Sequence, residues 1–402
     1  MTAITSAPAH VPADRIVDVD VYALPGMERD YQQAWRDLQA TCPDIVWTPR
    51  NEGHWIAMRG DILAEVQSDH ERFSSRITIL PKSVGELHGF IPTTIDPPEH
   101  RPYRLLLNGA MSPAAIRAMS ESIRAVAAEL IDGFVAAGHC DFTNQYARVF
   151  PIRIFMAMVG LPMKDAPDIQ LWAESITRPQ PVMPFDVAME AFYDYLAPVL
   201  AERRASPGDD LLSHFVTADM GGRRLGEEEA LALATQILIA GVDTVVNFLG
   251  FAMLHLARDA TARRLLAAEP RAILPAVHEL FRRFGLVTIA RTVREDIEFH
   301  GMALKAGELI CIPTVVHGLD DRINPQPMTV DFTRERARHS AFGSGPHMCP
   351  GQELARTEVA ITIEQWLARI PEFRVADDAD ISCGGGIVGS INRLCLAWDT
   401  NR

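Results

Sequence analysis

The longest predicted element of the chain, Glu227–Arg258, constrains the fold most, because its middle is apolar on all sides. Its first three residues are glutamates, which favour the N-terminal end through the helix dipole, and Arg258 suits the other end. At a rise of 1.5 Å per residue such a helix spans about 48 Å, the width of a whole domain. A helix that is apolar all round is buried, so we expect it to cross the core.

Part of this segment, residues 237–257, also has about the length needed to span a bilayer. It carries Asp243, Asn247 and His255 and has no flank rich in basic residues, so we predict a buried helix and no membrane association. Residues 1–20 contain neither the basic nor the apolar region of a signal peptide. The sequence therefore predicts a cytoplasmic protein with a loose N-terminal tail.

Composition favours one large domain. The chain has 402 residues without a Gly/Ser-rich or highly charged linker, which predicts a single domain over residues 1–402. An apolar fraction of 48% is sufficient for a large core, and the formal net charge of −14 argues against general nucleic-acid binding.

The chain as a whole is predicted to be mainly α with a minor β region. Further helices are predicted over residues 112–137, 185–205 and 352–370. Short strands are predicted over residues 54–58, 297–299, 302–304, 309–313 and 386–398. The Pro-rich residues 179–184 cannot be helical, which predicts a mobile loop that could gate a pocket.

A short segment around Cys349, Phe342-Gly-Ser-Gly-Pro-His-Met-Cys-Pro-Gly351, indicates a site for a large ligand. Two glycines in a tight turn bring the backbone close, and a helix is predicted to begin at Gly351. Backbone N–H groups aimed at the sulfur would lower the pKa of the thiol and keep a thiolate available as a metal ligand. The other cysteines have no C-x-x-C pairing and no zinc-ligand spacing, and they are interpreted as small buried hydrophobic residues: Cys42, Cys140, Cys311, Cys383 and Cys395.

The middle of the long helix contains Ala240-Gly-Val-Asp-Thr244, an unusual set for a buried position. A glycine costs about 1 kcal/mol against alanine in a helix, and a buried carboxylate costs more unless it is paired. One interpretation is a kinked core helix, in which the Thr244 hydroxyl bonds to the carbonyl four residues earlier and Asp243 meets a basic partner elsewhere. The other interpretation is a functional pair of acid and alcohol.

Glu279 and Arg282 are spaced so that both side chains lie on one face of a helix. Such pairs are common on solvated surfaces, so the spacing alone carries little information.

The pattern Phe-x-x-Gly-x-His-x-Cys-x-Gly resembles the haem-binding loop of the cytochromes P450 at every defining position. The resemblance extends over nearly the whole chain and is strongest over residues 241–398, where Leu319-Asp320 resembles the bacterial camphor monooxygenase group. It implies the mainly helical cytochrome P450 fold, with haem b between the long helix and the cysteine loop. Cys349 would be the axial ligand of the haem iron, and a thiolate ligand favours cleavage of the O–O bond.

The resemblance also assigns roles to the other motifs. Gly241 would open a groove in the long helix, and Asp243 and Thr244 would admit dioxygen and relay protons from solvent. Glu279 and Arg282 would form a buried structural clamp behind the haem loop. Such an enzyme inserts one oxygen atom of dioxygen into a C–H bond.

Haem carries two propionates, and their burial requires cations or hydrogen-bond donors. The residues that match the family's propionate-binding and haem-binding positions are His100, Arg104, Arg291, His347, Phe342, Gly343 and Gly351. Two residues depart from the closest pattern and imply different haem electrostatics. Pro350 contributes no N–H near the sulfur, and Ile289 stands where the camphor-hydroxylating relatives have an acid.

A substrate pocket is implied by the same resemblance. The matching positions are His88, Phe90, Thr93, Gln236, Ile239, Ala240, Val287, Ile387 and Val388. They describe an apolar pocket with one or two polar anchors. His88 stands where the camphor enzyme has a tyrosine that binds the substrate ketone, although a loop histidine without that role fits equally, and Gln236 replaces an apolar residue. We therefore predict hydroxylation of a terpenoid or norisoprenoid, such as an ionone, rather than camphor.

Electrons must come from another protein, because the chain contains no flavin or iron–sulfur motif. The resemblance implies a [2Fe–2S] ferredoxin with an NADH-dependent ferredoxin reductase. Arg101, Arg336 and Arg338 would flank the haem face and dock the ferredoxin, although ordinary solvated charge explains them equally well. One alternative is a peroxide-dependent haem-thiolate enzyme, against which Asp243 and Thr244 argue. Another is a non-catalytic haem-binding sensor, which would need neither that pair nor the apolar pocket.

Overall fold

The computed structural model of the chain describes residues 5–87, 89–178, 182–377 and 379–400. In this part of the chain the α-helices are α1 Tyr31–Thr41, α2 Gly60–Ser68, α3 Lys82–Gly85, α4 His100–Ala110, α5 Pro113–Asp132, α6 Phe150–Val159, α7 Ala166–Thr177, α8 Phe185–Ala205, α9 Leu211–Thr217, α10 Glu227–Arg258, α11 Ala260–Ala268, α12 Ile273–Arg283, α13 Thr314–Gly318 and α14 Gln352–Arg369. The β-strands are β1 Ile45–Thr48, β2 His54–Ala57, β3 Phe73–Ser74, β4 His139–Asp141, β5 Thr288–Val293, β6 Ile297–Phe299, β7 Met302–Leu304, β8 Leu309–Pro313, β9 Arg374–Val375, β10 Cys383–Gly384, β11 Ser390–Ile391 and β12 Cys395–Ala397.

Helices dominate the fold and the strands form small sheets, which confirms the predicted fold class. The largest sheet has the order β1-β2-β8-β5-β3; β2 runs parallel to β8, and the other neighbours are antiparallel. The smaller sheets are β4-β12-β9, β6-β7 and β10-β11. Strand β5 is central to the site described below, because it carries Arg291 into the protein interior.

The long helix α10 begins at Glu227 and ends at Arg258, as predicted. The Gly226 N–H donates to Oε2 of Glu229 at 2.7 Å, which stabilises the first turn. By length and composition α10 could cross a membrane, but 72% of its most apolar 18-residue window is buried inside the protein. Helices α6, α7 and α8 pack against it, and this packing accounts for its apolar sequence.

Most of the other predicted helices are found, with small differences at their ends. The helix predicted over residues 185–205 is α8 with the same bounds, and the one predicted over residues 352–370 is α14, which ends one residue earlier. The helix predicted over residues 112–137 ends at Asp132, and Val135–Ala137 forms a separate turn. Of the predicted Pro-rich loop, residues 179–181 lie outside the described residues.

The prediction of one strand over residues 386–398 is wrong. This segment contains two short strands, β11 and β12, which belong to different sheets. The pairing is interrupted because the Leu394 N–H donates to the Thr143 hydroxyl at 2.9 Å instead of to a neighbouring strand.

The prediction of a loose tail over residues 1–20 is wrong for the part that the structure describes, residues 5–20. Ile16 forms a β-bridge with Trp47 of β1, and Val11 is buried in the main hydrophobic core. The segment is held there because Val11, Val17 and Val19 pack against the main hydrophobic core, a contact between distant residues that no local pattern indicates.

Candidate active site

The cysteine loop, residues 342–351, packs closely against the end of α2. Gly343 and Gly345 have φ values of +74° and +70°, which favour glycine. A Cβ on Gly345 would lie 2.7 Å from the Cα of Ser68. The predicted tight turn is therefore confirmed, and its second glycine is needed for the close approach of two backbones.

The sulfur of Cys349 is held by the loop, but its environment differs from the prediction. The Cys349 N–H donates to the Phe342 carbonyl at 2.7 Å, and the Gly351 N–H donates to the sulfur. Burial nevertheless raises the pKa of the Cys349 thiol, and the Gly351 N–H, Arg104 and Arg356 offset only part of that effect. The prediction of a lowered thiol pKa is wrong, because removal from water outweighs the donors. A bound metal cation would deprotonate the thiol, since coordination favours the thiolate.

Glu279 and Arg282 form the buried clamp that the resemblance implies. Nε and Nη2 of Arg282 donate to the two carboxylate oxygens of Glu279 at 2.8 and 2.7 Å. Arg334 joins them and donates through Nε to both oxygens at 3.1 Å. Arg282 also donates to the carbonyls of Gly318, Pro327 and Thr329. This clamp, Glu279 with Arg282 and Arg334, ties α12 to the segment that leads into the cysteine loop.

Helix α10 carries a stripe of accessible residues in its middle. Between residues 233 and 254 every residue is buried except Gln236, Ala240, Gly241, Thr244 and Val245. Residues four positions apart lie on one face of a helix, so three of these residues follow one another along a line. An exposed alanine in the middle of a core helix indicates that the helix lines an internal space. We call the space along this stripe the central cavity.

The Thr244 end of the central cavity lies against the cysteine loop. A pocket there is bounded by Thr244 and Val245 of α10, by Gly285 after α12, and by Ala341 and Phe342. The long helix and the start of the cysteine loop therefore border a common pocket, on the side of α10 where the resemblance implies haem.

Gly241 packs against helix α6. A Cβ at this position would overlap the ring of Phe155, so the close contact between the two helices explains the glycine. The implied role of Gly241 in opening a groove for dioxygen stays a prediction.

Asp243 is buried, at 3% exposure, and is paired with Arg178 at the end of α7. Nη2 and Nη1 of Arg178 donate to its two carboxylate oxygens at 2.7 and 2.9 Å. The Thr177 hydroxyl donates to Oδ2 at 3.0 Å, and Nδ2 of Asn247 donates to Oδ1 at 2.8 Å. The basic partner that the sequence left unidentified is therefore Arg178, which immediately precedes the Pro-rich segment.

Thr244 satisfies the structural interpretation and also faces the central cavity. Its hydroxyl donates to the Ala240 carbonyl at 3.2 Å, as expected for a threonine inside a helix. A hydroxyl in this position can rotate to donate to a ligand in the cavity. The proton relay through Asp243 and Thr244 stays a prediction.

Four basic residues predicted to bind propionates lie together: His100, Arg104, Arg291 and His347, here called the donor cluster. The rings of His100 and His347 are 4.3 Å apart, and the buried Nε2 of each has no hydrogen-bond partner among the described residues. Nη1 of Arg291 donates to the Ala290 carbonyl at 2.9 Å. No carboxylate in the described part of the chain forms an ion pair with this guanidinium, although it is 3% exposed.

Burial and mutual repulsion disfavour protonation throughout the donor cluster. Burial lowers the pKa of Arg291 to about 10 and that of His100 to about 4. The pKa of His347 falls to about 3 because of burial and the nearby charges of Arg291 and Arg104. Buried donors without acceptors are costly, so the cluster is suited to a ligand that brings anionic oxygens.

These residues fit haem b. Cys349 would supply a sulfur for the iron, the stripe of α10 would border the bound group, and the donor cluster would supply partners for the propionates. When bound, haem supplies the activation of dioxygen and the insertion of one oxygen atom into a C–H bond.

The positions predicted to bind substrate lie around the same region. Phe90 and Ile239 belong to one hydrophobic cluster, and Ile387 packs against it. Val287 and Val388 face each other in a β-bridge. Thr93 is half-buried. The predicted polar anchor His88 lies outside the described residues.

The three arginines predicted to dock a redox partner are exposed: Arg101, Arg336 and Arg338. Arg101 follows His100, whose ring contacts His347 of the cysteine loop. Arg338 precedes His339, whose ring lies 6.3 Å from that of Phe342. Arg101 and Arg338 therefore adjoin the loop through neighbouring residues.

Comparison with known proteins identifies relatives over nearly the whole chain. The family model for cytochrome P450 matches residues 29–378. A probable cytochrome P450 127A1 from Sinorhizobium fredii is 33% identical in an alignment 402 positions long. The alignment covers 97% of this chain and 96% of the relative. A steroid C26-monooxygenase from Mycobacterium tuberculosis is 30% identical over 375 residues, 90% of this chain and 91% of the relative.

Two solved structures resemble the fold closely. The crystal structure of CYP101J2 has a TM-score of 0.91 and 43% sequence identity, and the match covers 98% of this chain and all of that chain. The crystal structure of CYP101C1 has a TM-score of 0.90 and 37% identity, with the same coverage.

Proposed function

Because the chain belongs to the cytochrome P450 family and is a haem-thiolate monooxygenase, we propose that it hydroxylates a small to medium apolar terpenoid or norisoprenoid. The observation that carries the proposal is the central cavity. Its wall on α10 combines small and apolar residues with few polar groups, and its Thr244 end adjoins the cysteine loop. Such a cavity favours a compact hydrocarbon skeleton over a charged or strongly polar substrate.

We also propose that a [2Fe–2S] ferredoxin, reduced by an NADH-dependent reductase, supplies two electrons. The support is the position of exposed Arg101 and Arg338 next to residues that contact the cysteine loop. Positive side chains on an otherwise acidic protein favour the approach of an acidic partner. The same proposal places the enzyme in the cytoplasm.

A ligand screen tests the substrate class. The reduced holoenzyme with carbon monoxide should first give the absorption band of a thiolate-ligated haem. Ionones and monoterpenoid ketones are then added to the oxidised enzyme, and the change in iron spin state is measured. Binding of several such compounds and their oxidation by a reconstituted system are expected. No spin-state change with any of them would overturn the proposed substrate class while leaving the family assignment intact.

Charge reversal tests the redox partner. We expect Arg101→Glu and Arg338→Glu to lower ferredoxin-dependent turnover and to raise the ferredoxin concentration needed for half-maximal turnover. Haem content should stay unchanged. Arg374→Glu is the matched control, because Arg374 is an exposed arginine beyond the far end of α14. Equal turnover of all three variants would contradict docking at this face.

A peroxide-dependent reaction is the competing activity. It requires no proton relay, whereas Asp243 and Thr244 are present at the expected positions. Turnover with hydrogen peroxide but none with reduced ferredoxin would favour this alternative.

A further inference from the structure

Gln236 is a polar side chain in an apolar region of the central cavity. Its neighbours on α10, from Leu233 to Val242, contribute to a hydrophobic cluster with helices α6 to α9. Gln236 is half-buried, and among the described residues its amide forms no hydrogen bond and no other polar contact. The amide atoms of Gln236 are not fully buried, so they stay accessible and can bind a ligand in place of water. The position therefore suits a ligand that supplies the missing hydrogen bond.

The stripe on α10 fixes where Gln236 lies relative to the reactive end of the cavity. Gln236, Ala240 and Thr244 are spaced by four residues and share one face. The helical rise places Ala240 about 6 Å and Thr244 about 12 Å from Gln236 along the axis. Thr244 is at the end that adjoins the cysteine loop, so Gln236 is at the end remote from it.

We propose that Gln236 is the specificity-determining anchor of this enzyme, and that its amide N–H donates to a carbonyl or ether oxygen at the end of the substrate opposite the oxidised carbon. This inference rests on the proposed function and narrows its substrate class. A substrate held in this way has its acceptor oxygen and its oxidised carbon separated by at least one helical turn. An elongated ketone such as an ionone meets that condition better than a compact bicyclic ketone.

Other polar groups in the region are less suited to this role. The Thr94 hydroxyl is already engaged with the backbone of Phe90, from which it accepts a bond at 2.8 Å and to which it donates at 3.2 Å. Thr244 donates to the Ala240 carbonyl at the reactive end. Thr93 is the remaining described candidate among the predicted pocket positions, and it serves as a comparison in the test.

The test uses three ligands of one skeleton with the holoenzyme: β-ionone, the corresponding alcohol, and the hydrocarbon in which the carbonyl is replaced by a methylene. The dissociation constant of each is measured from the spin-state change. The native enzyme should bind the ketone more tightly than the hydrocarbon. Gln236→Leu should weaken ketone binding about 3- to 10-fold, as expected for one hydrogen bond, and leave hydrocarbon binding equal or tighter.

Gln236→Glu removes the hydrogen-bond donor of the side chain but keeps its size. Glutamate has the same size but accepts hydrogen bonds when ionised, so it should lose the preference for the ketone and keep binding of the alcohol, which can donate. Ile239→Val is the matched control, because it changes an apolar neighbour and should affect the three ligands alike. The hydroxylated position should also become less uniform in Gln236→Leu, because the remote end of the substrate is no longer held.

The outcomes separate the anchor from the proposed substrate class. A native enzyme that binds the hydrocarbon as tightly as the ketone would overturn the anchor and leave the apolar-substrate proposal standing. Loss of the ketone preference in Thr93→Val, with none in the Gln236 variants, would also overturn it. Absence of a response to all three ligands and to camphor and its matching hydrocarbon would count against both proposals.

Discussion

Two buried groups of basic residues, the clamp and the donor cluster, lie near the cysteine loop. They differ in whether their charges have partners within the chain. In the clamp, Arg282 is fully buried and donates to a carboxylate and to backbone carbonyls. In the donor cluster, Arg291 is almost as buried, yet no described carboxylate pairs with it, and two neighbouring histidines have unpartnered Nε2 atoms. The clamp is complete without a ligand, whereas the donor cluster is complete only with one.

The difference shows that burial of a charged residue does not by itself indicate function. A buried charge with all its partners inside the chain needs no ligand, and removal of either partner leaves an uncompensated charge. Several buried donors that lack partners and lie together, as in the donor cluster, are suited to a ligand with acceptor groups. Variants of the clamp should therefore lose stability, and variants of the donor cluster should lose affinity for haem.

The largest effect is expected from breaking the clamp. Glu279→Leu leaves Arg282 and Arg334 without their carboxylate, and we expect the free energy of unfolding to fall by about 3 to 5 kcal/mol. Thermal and urea unfolding of the holoenzyme measure the change. Glu129→Leu is the control: Glu129 pairs with Arg153 on the surface, where loss of an ion pair costs at most about 1 kcal/mol. Equal stability of the two variants would contradict the structural role of the clamp.

Asp243 combines features of both groups, since it is paired with Arg178 yet sits beside the accessible stripe. If it relays protons, Asp243→Asn should lower turnover with dioxygen and reduced partner by about 10²-fold, within the range for a lost general acid. Haem content should stay unchanged, and peroxide-driven turnover should be affected far less. Thr177→Val, which removes one donor to the carboxylate but keeps the acid, is the matched variant. A similar loss in both would indicate that local structure, and not the acid, is responsible.

Removal of a cation from the donor cluster should weaken haem binding more than it destabilises the protein. In Arg291→Gln we expect haem transfer to apomyoglobin to be about 10-fold faster, because one charge-assisted hydrogen bond to a propionate is lost. Arg294→Gln is the control, since Arg294 is on the same segment but pairs with Asp96 near the surface at 2.6 Å. Haem loss at the native rate from Arg291→Gln would break the proposed distinction between the two groups.

The smallest effect concerns a buried histidine that belongs to neither group. Burial lowers the pKa of His54, in strand β2, to about 4, below its unfolded value of about 6.5. The unfolded chain therefore binds one more proton than the folded protein between these values. This residue contributes stability fully above about pH 6.5, and that contribution is lost as the pH falls toward 4.

His54→Gln tests this expectation through the slope of stability against pH. Urea unfolding at pH 7, 6 and 5 measures the free energy of unfolding of both proteins. His54 should add a slope of at most about 1.4 kcal/mol per pH unit to the native protein, and the variant should lack this contribution. Parallel curves would mean that burial alone does not suppress protonation of this histidine. In that case the unpartnered histidines of the donor cluster would be less informative about a ligand.

The sequence predicted the parts of this protein that are local along the chain. The glycines around Cys349 belong to one turn, and the charges at the ends of α10 belong to one helix. Both patterns involve residues of a single element, and the predicted turn and helix are present. The pattern could not indicate Arg178 as the partner of Asp243, because the two residues are 65 positions apart. Nor could it indicate Arg334 in the clamp or the ring of Phe155 against Gly241.

The residue types available for the site are evident from the amino-acid order alone: a cysteine between glycines, an acid and an alcohol in a long apolar helix, and scattered basic residues. The tertiary structure alone decided which of these charges are paired, which residues of α10 face a cavity, and that burial raises the pKa of the Cys349 thiol. These properties depend on desolvation and on contacts between distant segments, and both arise only when the chain is folded.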